Sequence, residues 1–172
     1  MSKGRIKQDL EQRDQVYSAA VRYLARREYA PEELRRRLLR RGAAADAVEE
    51  TISRLQAAGW LSEERFAASR VRQRRDLTGR GRAAIRAELR ALGVDEAVSQ
   101  AALDEEYSEE QEAALVNSLA RRALAEVSSI EDRERRNRLV RSAQRRLLAR
   151  GFAPRLVLAA TEEYLSQNSD DE

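Results

Sequence analysis

Hydrophobic residues recur along the chain at the spacing of an amphipathic helix. One helix is predicted over about 14–27, and its apolar face, at i, i+3, i+4 and i+7, consists of Tyr17, Ala20, Val21 and Leu24. The sequence shows no sustained period-two alternation, and β-branched residues are sparse, so strands are not expected. The pattern therefore predicts an all-α fold.

The next two helices carry start and stop signals. Pro31 suits the first position of a helix, and Gly42 suits the left-handed conformation that closes one. Asp46 and Glu49 form the pattern of a capping box that would open a third helix, which Gly59 ends. The expected core residues of these two helices are Leu34, Leu38, Val48, Ile52 and Leu55.

This three-helix pattern is found three times. The segments RRRLLRRG, IRAELRALG and QRRLLARG align on their final glycines, Gly42, Gly93 and Gly151. Each glycine follows a leucine by four residues and an apolar residue by eight, and a valine stands five or six residues beyond it: Leu38, Leu89 and Leu147; Leu34, Ile85 and Ala143; Val48, Val98 and Val157. We predict three tandem three-helix repeats that form an elongated modular protein.

Start signals for the later repeats set their limits. Ser62 precedes one helix, and Ser108 with Gln111 predicts a capping box at another. The predicted organisation is a flexible N-terminal segment, three repeats and an acidic tail, over 1–13, 14–59, 60–106, 107–166 and 167–172. Trp60 is expected to be buried with Phe66 where the first two repeats meet, in preference to a ligand-stacking role.

Composition excludes several classes of chemistry. The chain contains neither histidine nor cysteine, which removes disulfides, zinc fingers, thiol chemistry and histidine acid–base catalysis. We therefore expect no enzymatic activity, cofactor or metal site. The longest apolar run, Leu156 to Ala160, is far too short to span a bilayer, and the start of the chain lacks a secretory signal, so a cytoplasmic protein is expected. We also expect a monomer.

Charge is arranged in blocks. The stretches 65–90 and 132–155 each hold nine arginines against two acids, whereas 95–112 holds eight acids and no base. Such alternation indicates a surface that meets a charged partner, although ordinary solvation of a helix face is the alternative for any single arginine. Arg80 and Arg82 are flanked by glycines and are predicted to lie on a mobile loop.

These residues also carry a resemblance. The run GWLSEERFAASRVRQRRDLTGRGRAAIRAELRALGV, residues 59–94, closely resembles the central signature of the RecX family of RecA regulators. The matching positions are Arg65, Phe66, Gly79, Gly81, Ile85, Arg86, Glu88, Leu89 and Gly93. Similarity covers the chain from about Asp14 to Leu165. The sequence departs from the family at Arg82, where proline is common, and at Ala84, where arginine is usual.

The resemblance implies a modular helical protein without enzymatic activity that lies along the groove of the RecA nucleoprotein filament. Contacts to single- or double-stranded DNA would be weak or made within the filament. Such a protein would inhibit the recombinase, ATPase and co-protease activities of RecA and modulate homologous recombination and the SOS response. The candidate contacts to RecA or DNA are Arg70, Arg72, Arg74, Arg75, Arg80, Arg82 and Arg86.

The alternative is a free-standing, basic, all-helical DNA-binding protein that is independent of RecA. It would bind bare DNA with an affinity that falls steeply as salt rises.

Overall fold

The computed structural model describes residues 3–127 and 129–167, and within these ranges all regular secondary structure is α-helical. The helices described are α1 (Lys3–Leu24), α2 (Pro31–Leu39), α3 (Ala45–Ala57), α4 (Glu63–Thr78), α5 (Arg82–Leu92), α6 (Glu96–Glu106), α7 (Glu109–Leu124), α8 (Arg133–Ala149) and α9 (Pro154–Gln167). Three helices fall in each predicted repeat, which confirms the helical-repeat fold. Trp60 and Tyr107, at the predicted boundaries, lie in the connections after α3 and α6.

Contacts between Cα atoms group the chain into two units. The first comprises the residues up to Ser69 together with Leu89–Ser99, and the second comprises Arg70–Glu88 and the chain from Gln100 onward. The division passes through α4, α5 and α6, so each of these helices contributes residues to both units.

The ends of the chain differ in part from expectation. Helix α1 begins at Lys3, before the predicted start at Asp14, and ends at Leu24 instead of Arg27. Beyond this end, Arg27 donates to Glu33 and stacks 3.6 Å above the ring of Tyr29. The flexibility of residues 1–13 stays a prediction, and residues 168–172 of the acidic tail lie outside the described part of the chain.

The core of the first unit is formed by the predicted faces of α2 and α3 and by a face of α1 that differs slightly from the predicted one. The five residues expected inside α2 and α3 are each no more than 2% exposed: Leu34, Leu38, Val48, Ile52 and Leu55. On α1 Ala20 is buried as predicted, whereas Tyr17, Val21 and Leu24 are only partly buried. Val16 and Tyr23 take the deepest positions beside Ala20, so the buried face is rotated slightly from the predicted one.

Two of the three predicted side-chain caps are present. The Arg65 backbone N–H donates to the Ser62 hydroxyl at 3.1 Å and opens α4. Ser108 and Gln111 form a full capping box at the start of α7. Each cap provides an acceptor for a backbone N–H at a helix start that would otherwise be unpaired.

The capping box predicted for α3 is wrong. The residue before α3 is Ala44, which offers no side-chain acceptor. Asp46 and Glu49 instead accept from Arg13 at 2.9 Å and from Arg35 at 2.7 Å. Distant arginines therefore engage the carboxylates that local sequence assigned to capping.

The repeat register is confirmed with one correction. The aligned residues before the glycines of the second and third repeats are all buried: Ile85, Leu89, Ala143 and Leu147. Val48 and Val157, six residues beyond their glycines, are also buried. In the second repeat the sixth position is Ser99, which is 1% exposed, whereas Val98 is only partly buried. The true equivalent is thus Ser99, because the buried face of a helix keeps a fixed phase from its start.

Two of the helix-ending glycines, Gly93 and Gly151, also pack closely against another helix. A Cβ on Gly151 would lie 2.3 Å from the Cβ of Ala84, in the first turn of α5, and a Cβ on Gly93 would lie 2.6 Å from Cγ of Glu32, in the first turn of α2. Each glycine thus packs on the middle helix of the preceding repeat. Gly81 donates its N–H to the Arg150 carbonyl at 2.9 Å, and its own Cβ would lie 2.3 Å from the Gly151 carbonyl oxygen.

Candidate partner-binding surface

Glu88 binds two of the predicted site arginines on α4. The Arg74 guanidinium donates to both Glu88 oxygens, with Nη2 to Oε1 at 2.7 Å and Nε to Oε2 at 2.8 Å. Arg70 Nε lies 2.8 Å from Glu88 Oε1, an ion pair outside hydrogen-bond alignment. Burial alone would raise the pKa of Glu88, but the hydrogen bonds from Arg74 and the charges of Arg70, Arg74 and Arg80 hold this pKa below its ordinary value.

Other predicted site residues contact α6. The Arg72 guanidinium donates to the Glu106 carboxylate, and the Arg75 guanidinium donates to the Glu106 carbonyl. Arg75 also pairs with Asp76 at 2.6 Å. Arg86 donates to the side chain of Gln100. These arginines are therefore engaged within the chain.

Arg82 closes the carboxyl end of α6. It is the first residue of α5 and not part of a mobile loop, so its predicted placement is corrected. Its guanidinium donates to the carbonyls of Leu103, at 2.9 Å, and Tyr107, and to the Asp104 carboxylate, and its side chain is 11% exposed. The last carbonyls of a helix lack intrahelical partners and carry its partial negative charge. An arginine there donates hydrogen bonds to the carbonyls and also compensates that charge.

The amino end of α5 is held by a buried carboxylate. Glu112 on α7 is 4% exposed and accepts the Arg82 backbone N–H at 2.7 Å. Desolvation raises the pKa of Glu112 above its ordinary value, although the Arg82 hydrogen bond and charge act in the opposite direction. The bond from Arg82 to Glu112 needs this backbone N–H, which a proline at position 82 would lack.

Arg80 is the exception among the seven predicted arginines. It lies between Gly79 and Gly81, it is exposed, and its side chain makes no hydrogen bond or ion pair with any residue that the structure describes. Its charge acts only at a distance, on Glu88. Of the predicted set, Arg80 is thus the residue most accessible to a partner.

The first basic block is therefore largely neutralised by the acidic block that follows it. Glu106, Asp104 and Glu112 all belong to the stretch 95–112, and all three bind residues of the stretch 70–86. The alternating blocks predict a surface for a charged partner, and that stays a prediction. Within the chain these two blocks meet each other, because α6 returns and carries acids back to the arginines of α4 and α5.

The second basic block has no such acidic counterpart in the described residues. Six of its arginines are exposed and make no side-chain hydrogen bond or ion pair there: Arg133, Arg135, Arg141, Arg145, Arg146 and Arg150. Pairs are formed by Arg138 with Glu134 at 3.5 Å and by Arg155 with Glu109 at 2.7 Å. The ratio of arginines to acids is the same in both blocks, and the sequence favoured the first because its arginines lie beside glycines and within the run that resembles the family signature.

A groove runs between α7 and α8 of the second unit. Its apolar floor includes Leu119, Ala123 and Leu147, and Arg122, Arg146 and Arg150 surround it. Its volume is about 410 Å³, and none of the described residues that line it is acidic. The Arg122 side chain is also exposed and without a partner in the described residues. Gly79 lies at one end, since a Cβ there would be 3.3 Å from Arg150 Nη1 and 3.8 Å from Leu119 Cδ1.

The expected burial of Trp60 is wrong. Trp60 is 55% exposed, whereas its neighbours Leu61 and Phe66 are 2% and 3% exposed. The chain turns at Gly59, where the φ angle is +71°. This turn directs Leu61 inward and leaves the indole outside, so a stacking or partner-contact role for Trp60 stays open.

Two further features limit the chemistry of the described residues. They contain no helix long and apolar enough to cross a membrane. They also contain no group of three or more acidic side chains placed to hold a metal ion. The arrangement can offer guanidinium groups to an anionic partner.

Fold and surface together define a tandem helical-repeat protein that presents an arginine-rich face. Residues 17–55 match the first three-helix domain of RecX, and residues 62–103 match the second. The chain is 33% identical over 129 residues to the regulatory protein RecX of Syntrophotalea carbinolica, covering 72% of this chain and 82% of that one. It is 37% identical over 145 residues to the regulatory protein RecX of Xanthomonas axonopodis pv. citri, covering 83% of each. The chain belongs to the RecX family.

Two solved structures share the fold. The crystal structure of RecX from Lactobacillus salivarius superposes with a TM-score of 0.78 at 21% identity, over 90% of this chain and 97% of that one. A second crystal structure of regulatory protein RecX gives a TM-score of 0.77 at 22% identity, over 94% and 78%.

Proposed function

We propose that this protein binds the RecA–DNA filament and inhibits the recombinase, ATPase and co-protease activities of RecA, and that it thereby modulates homologous recombination and the SOS response. Membership of the RecX family, whose relatives bear the name regulatory protein RecX, carries the proposal. The protein acts by binding and catalyses no reaction of its own.

The unpaired arginines supply the contact charge. Arg80 and the exposed arginines of α8 have no competing acid among the described residues, so a partner need not displace an internal ion pair to reach them. Arginines such as Arg74 and Arg82 would first have to leave carboxylates or carbonyls of their own chain. Arg80 and the exposed arginines of α8 therefore contribute most of the binding free energy.

ATP hydrolysis by RecA on single-stranded DNA tests the proposal. Increasing amounts of the protein should lower phosphate release to a plateau. The variant Arg80→Glu/Arg145→Glu should need at least about tenfold more protein for half-inhibition, equivalent to about 1.4 kcal/mol. Arg22→Glu/Arg40→Glu reverses two exposed, unpaired arginines of the first unit and is the matched control. Undiminished hydrolysis at equimolar wild-type protein would contradict the proposed function.

DNA binding independent of RecA is the second candidate, and the six unpaired arginines of the second basic block favour it. In that case affinity for naked oligo(dT) should match the inhibitory concentration at the same salt, with a log–log salt slope of about 0.7 for each phosphate contacted. Inhibition should also disappear when extra DNA is added. Inhibition that persists with excess DNA assigns the effect to the filament.

A further inference from the structure

The groove between α7 and α8 combines arginine charge with an apolar floor, and its described lining holds no acid, whereas a second arginine-lined cavity, at Arg135 and Arg138, also contains Glu126. Leu119, Ala123 and Leu147 line its base. Its volume of about 410 Å³ falls within the range of roughly 300–1,000 Å³ that is usual for ligand sites. A solvated helix face needs no such concavity.

The surrounding guanidinium groups converge on this floor from both helices. Arg146 lies in the last turn of α8 and Arg150 is the capping residue that follows it, four residues on and still in helical conformation, so they lie on the same side and about 6 Å apart along the helix axis. Arg122 faces them from α7. All three are exposed, lack partners among the described residues and have no acid in the groove lining. An anion placed here would relieve the mutual repulsion of three like charges.

We infer that this groove binds an acidic, amphipathic segment of a protein partner, in which carboxylates flank an aliphatic side chain. The aliphatic side chain covers the leucine floor, and the carboxylates meet the planar guanidinium groups, which can bind them through two parallel hydrogen bonds. A nucleic-acid strand fits less well, because none of the described residues of the groove lining is an aromatic on which a base could stack, and phosphates would leave the floor uncovered. The inference deepens the proposed function and rests on it for the identity of the partner.

A designed peptide tests the inference with the full chain. The probe is a fluorescein-labelled peptide of about 16 residues in which leucine recurs at every fourth position among glutamates. Two companion peptides carry Leu→Ser or Glu→Gln throughout. Fluorescence anisotropy should show binding of the first peptide, with affinity at least about tenfold weaker for each companion.

Matched variants locate the site. Arg122→Glu/Arg146→Glu/Arg150→Glu should lose at least about tenfold in affinity for the peptide. Arg133→Glu/Arg135→Glu/Arg141→Glu makes the same charge change on exposed, unpaired residues of α8 outside the groove and should lose less than about threefold. If the groove triple variant does not keep its helical circular dichroism spectrum, Arg122→Gln/Arg146→Gln/Arg150→Gln replaces it. Both charge-reversal variants should lose the same amount of affinity for an oligo(dT) probe of about 30 nucleotides.

Three outcomes would overturn the inference: equal loss of peptide affinity in both variants, equal binding of the Leu→Ser peptide, or loss of oligo(dT) affinity in the groove variant alone. The last would make the groove a nucleic-acid site. RecA ATPase inhibition by the wild-type protein is measured in parallel. Its absence contradicts the proposed function, whereas intact inhibition with unselective peptide binding contradicts only the groove assignment.

Discussion

Glu88 is partly buried and Glu112 is buried, and the two glutamates change the stability of the second unit with pH in opposite directions. The pKa of Glu88 is held below its ordinary value, whereas that of Glu112 is raised. A lowered folded-state pKa adds stability above the ordinary value near 4.5, and this stability is lost as pH falls through the folded pKa. A raised pKa gives the reverse sign, since its stability is present below 4.5 and lost as pH rises through the folded pKa.

Glutamine substitution should therefore separate the two residues. Glu88→Gln is expected to lower the free energy of unfolding at pH 7 by about 1–3 kcal/mol, because charge-assisted bonds to Arg74 are lost. Glu112→Gln keeps an oxygen acceptor for the Arg82 N–H and removes a desolvated charge, so it should be neutral or stabilising at pH 7. Urea unfolding at pH 7 and pH 4 measures both, and a shared sign at pH 7 would refute the assignment.

Arg80 and Arg82 also differ sharply despite being two residues apart. Arg82→Ala removes the bonds to two helix-terminal carbonyls and should lower the free energy of unfolding by about 2 kcal/mol. Arg80→Ala should change it by less than about 0.5 kcal/mol, because no described residue depends on its side chain. Thermal unfolding of the two single variants decides the matter, and equal losses would show that Arg82 does not hold α6.

At the scale of the helices, the glycines that end them are of two kinds. Gly42 and Gly151 have nearly the same φ angle, +84° and +85°. A Cβ on Gly42 would meet nothing within 4 Å, whereas one on Gly151 would lie 2.5 Å from the Ala84 backbone nitrogen. An alanine would therefore suffer the same backbone strain at position 42 as at position 151, and only at position 151 would its Cβ also clash with a neighbouring helix.

Alanine at these positions should separate strain from packing. Gly42→Ala is expected to lower the free energy of unfolding by about 1–2 kcal/mol, the usual penalty of a left-handed residue with a Cβ. Gly151→Ala should lose a further 1–3 kcal/mol or so, because the contact with α5 must open. Chemical denaturation of the two variants provides the difference, and equal values would show that the contact yields without strain.

Local sequence was a good guide to helices and a poor one to long-range partners. The periodic placement of Leu34, Leu38 and Leu147 sufficed to predict buried faces, because helical phase is a local property. The box predicted at Asp46 failed, since Arg13 and Arg35 reach that region from other helices. The prediction that Arg82 lies on a mobile loop was wrong for the same reason, because its partners on α6 are about twenty residues away in sequence.

At the scale of the whole molecule, three helices link the two contact-defined units. Because α4, α5 and α6 each run through both, we expect the units to unfold together. Trp60 is the sole tryptophan and belongs to the first unit, so its fluorescence follows that unit alone, whereas far-ultraviolet circular dichroism follows all helices. The urea midpoints from the two signals should coincide. Separate midpoints would show that the shared helices break at the division.

The segregation of paired and unpaired arginines has a consequence for how this protein can change over generations. A substitution at Arg72 removes an arginine partner of Glu106, and one at Arg74 removes hydrogen bonds to Glu88 and leaves it the ion pair with Arg70, so drift there is favoured by a second, compensating replacement of the carboxylate. Replacements at Arg141 or Arg145 strand nothing that the structure describes. Selection can therefore change the affinity for a partner through single substitutions on α8. Among the ion-paired arginines of α4, a substitution is tolerated better when the partner carboxylate changes as well.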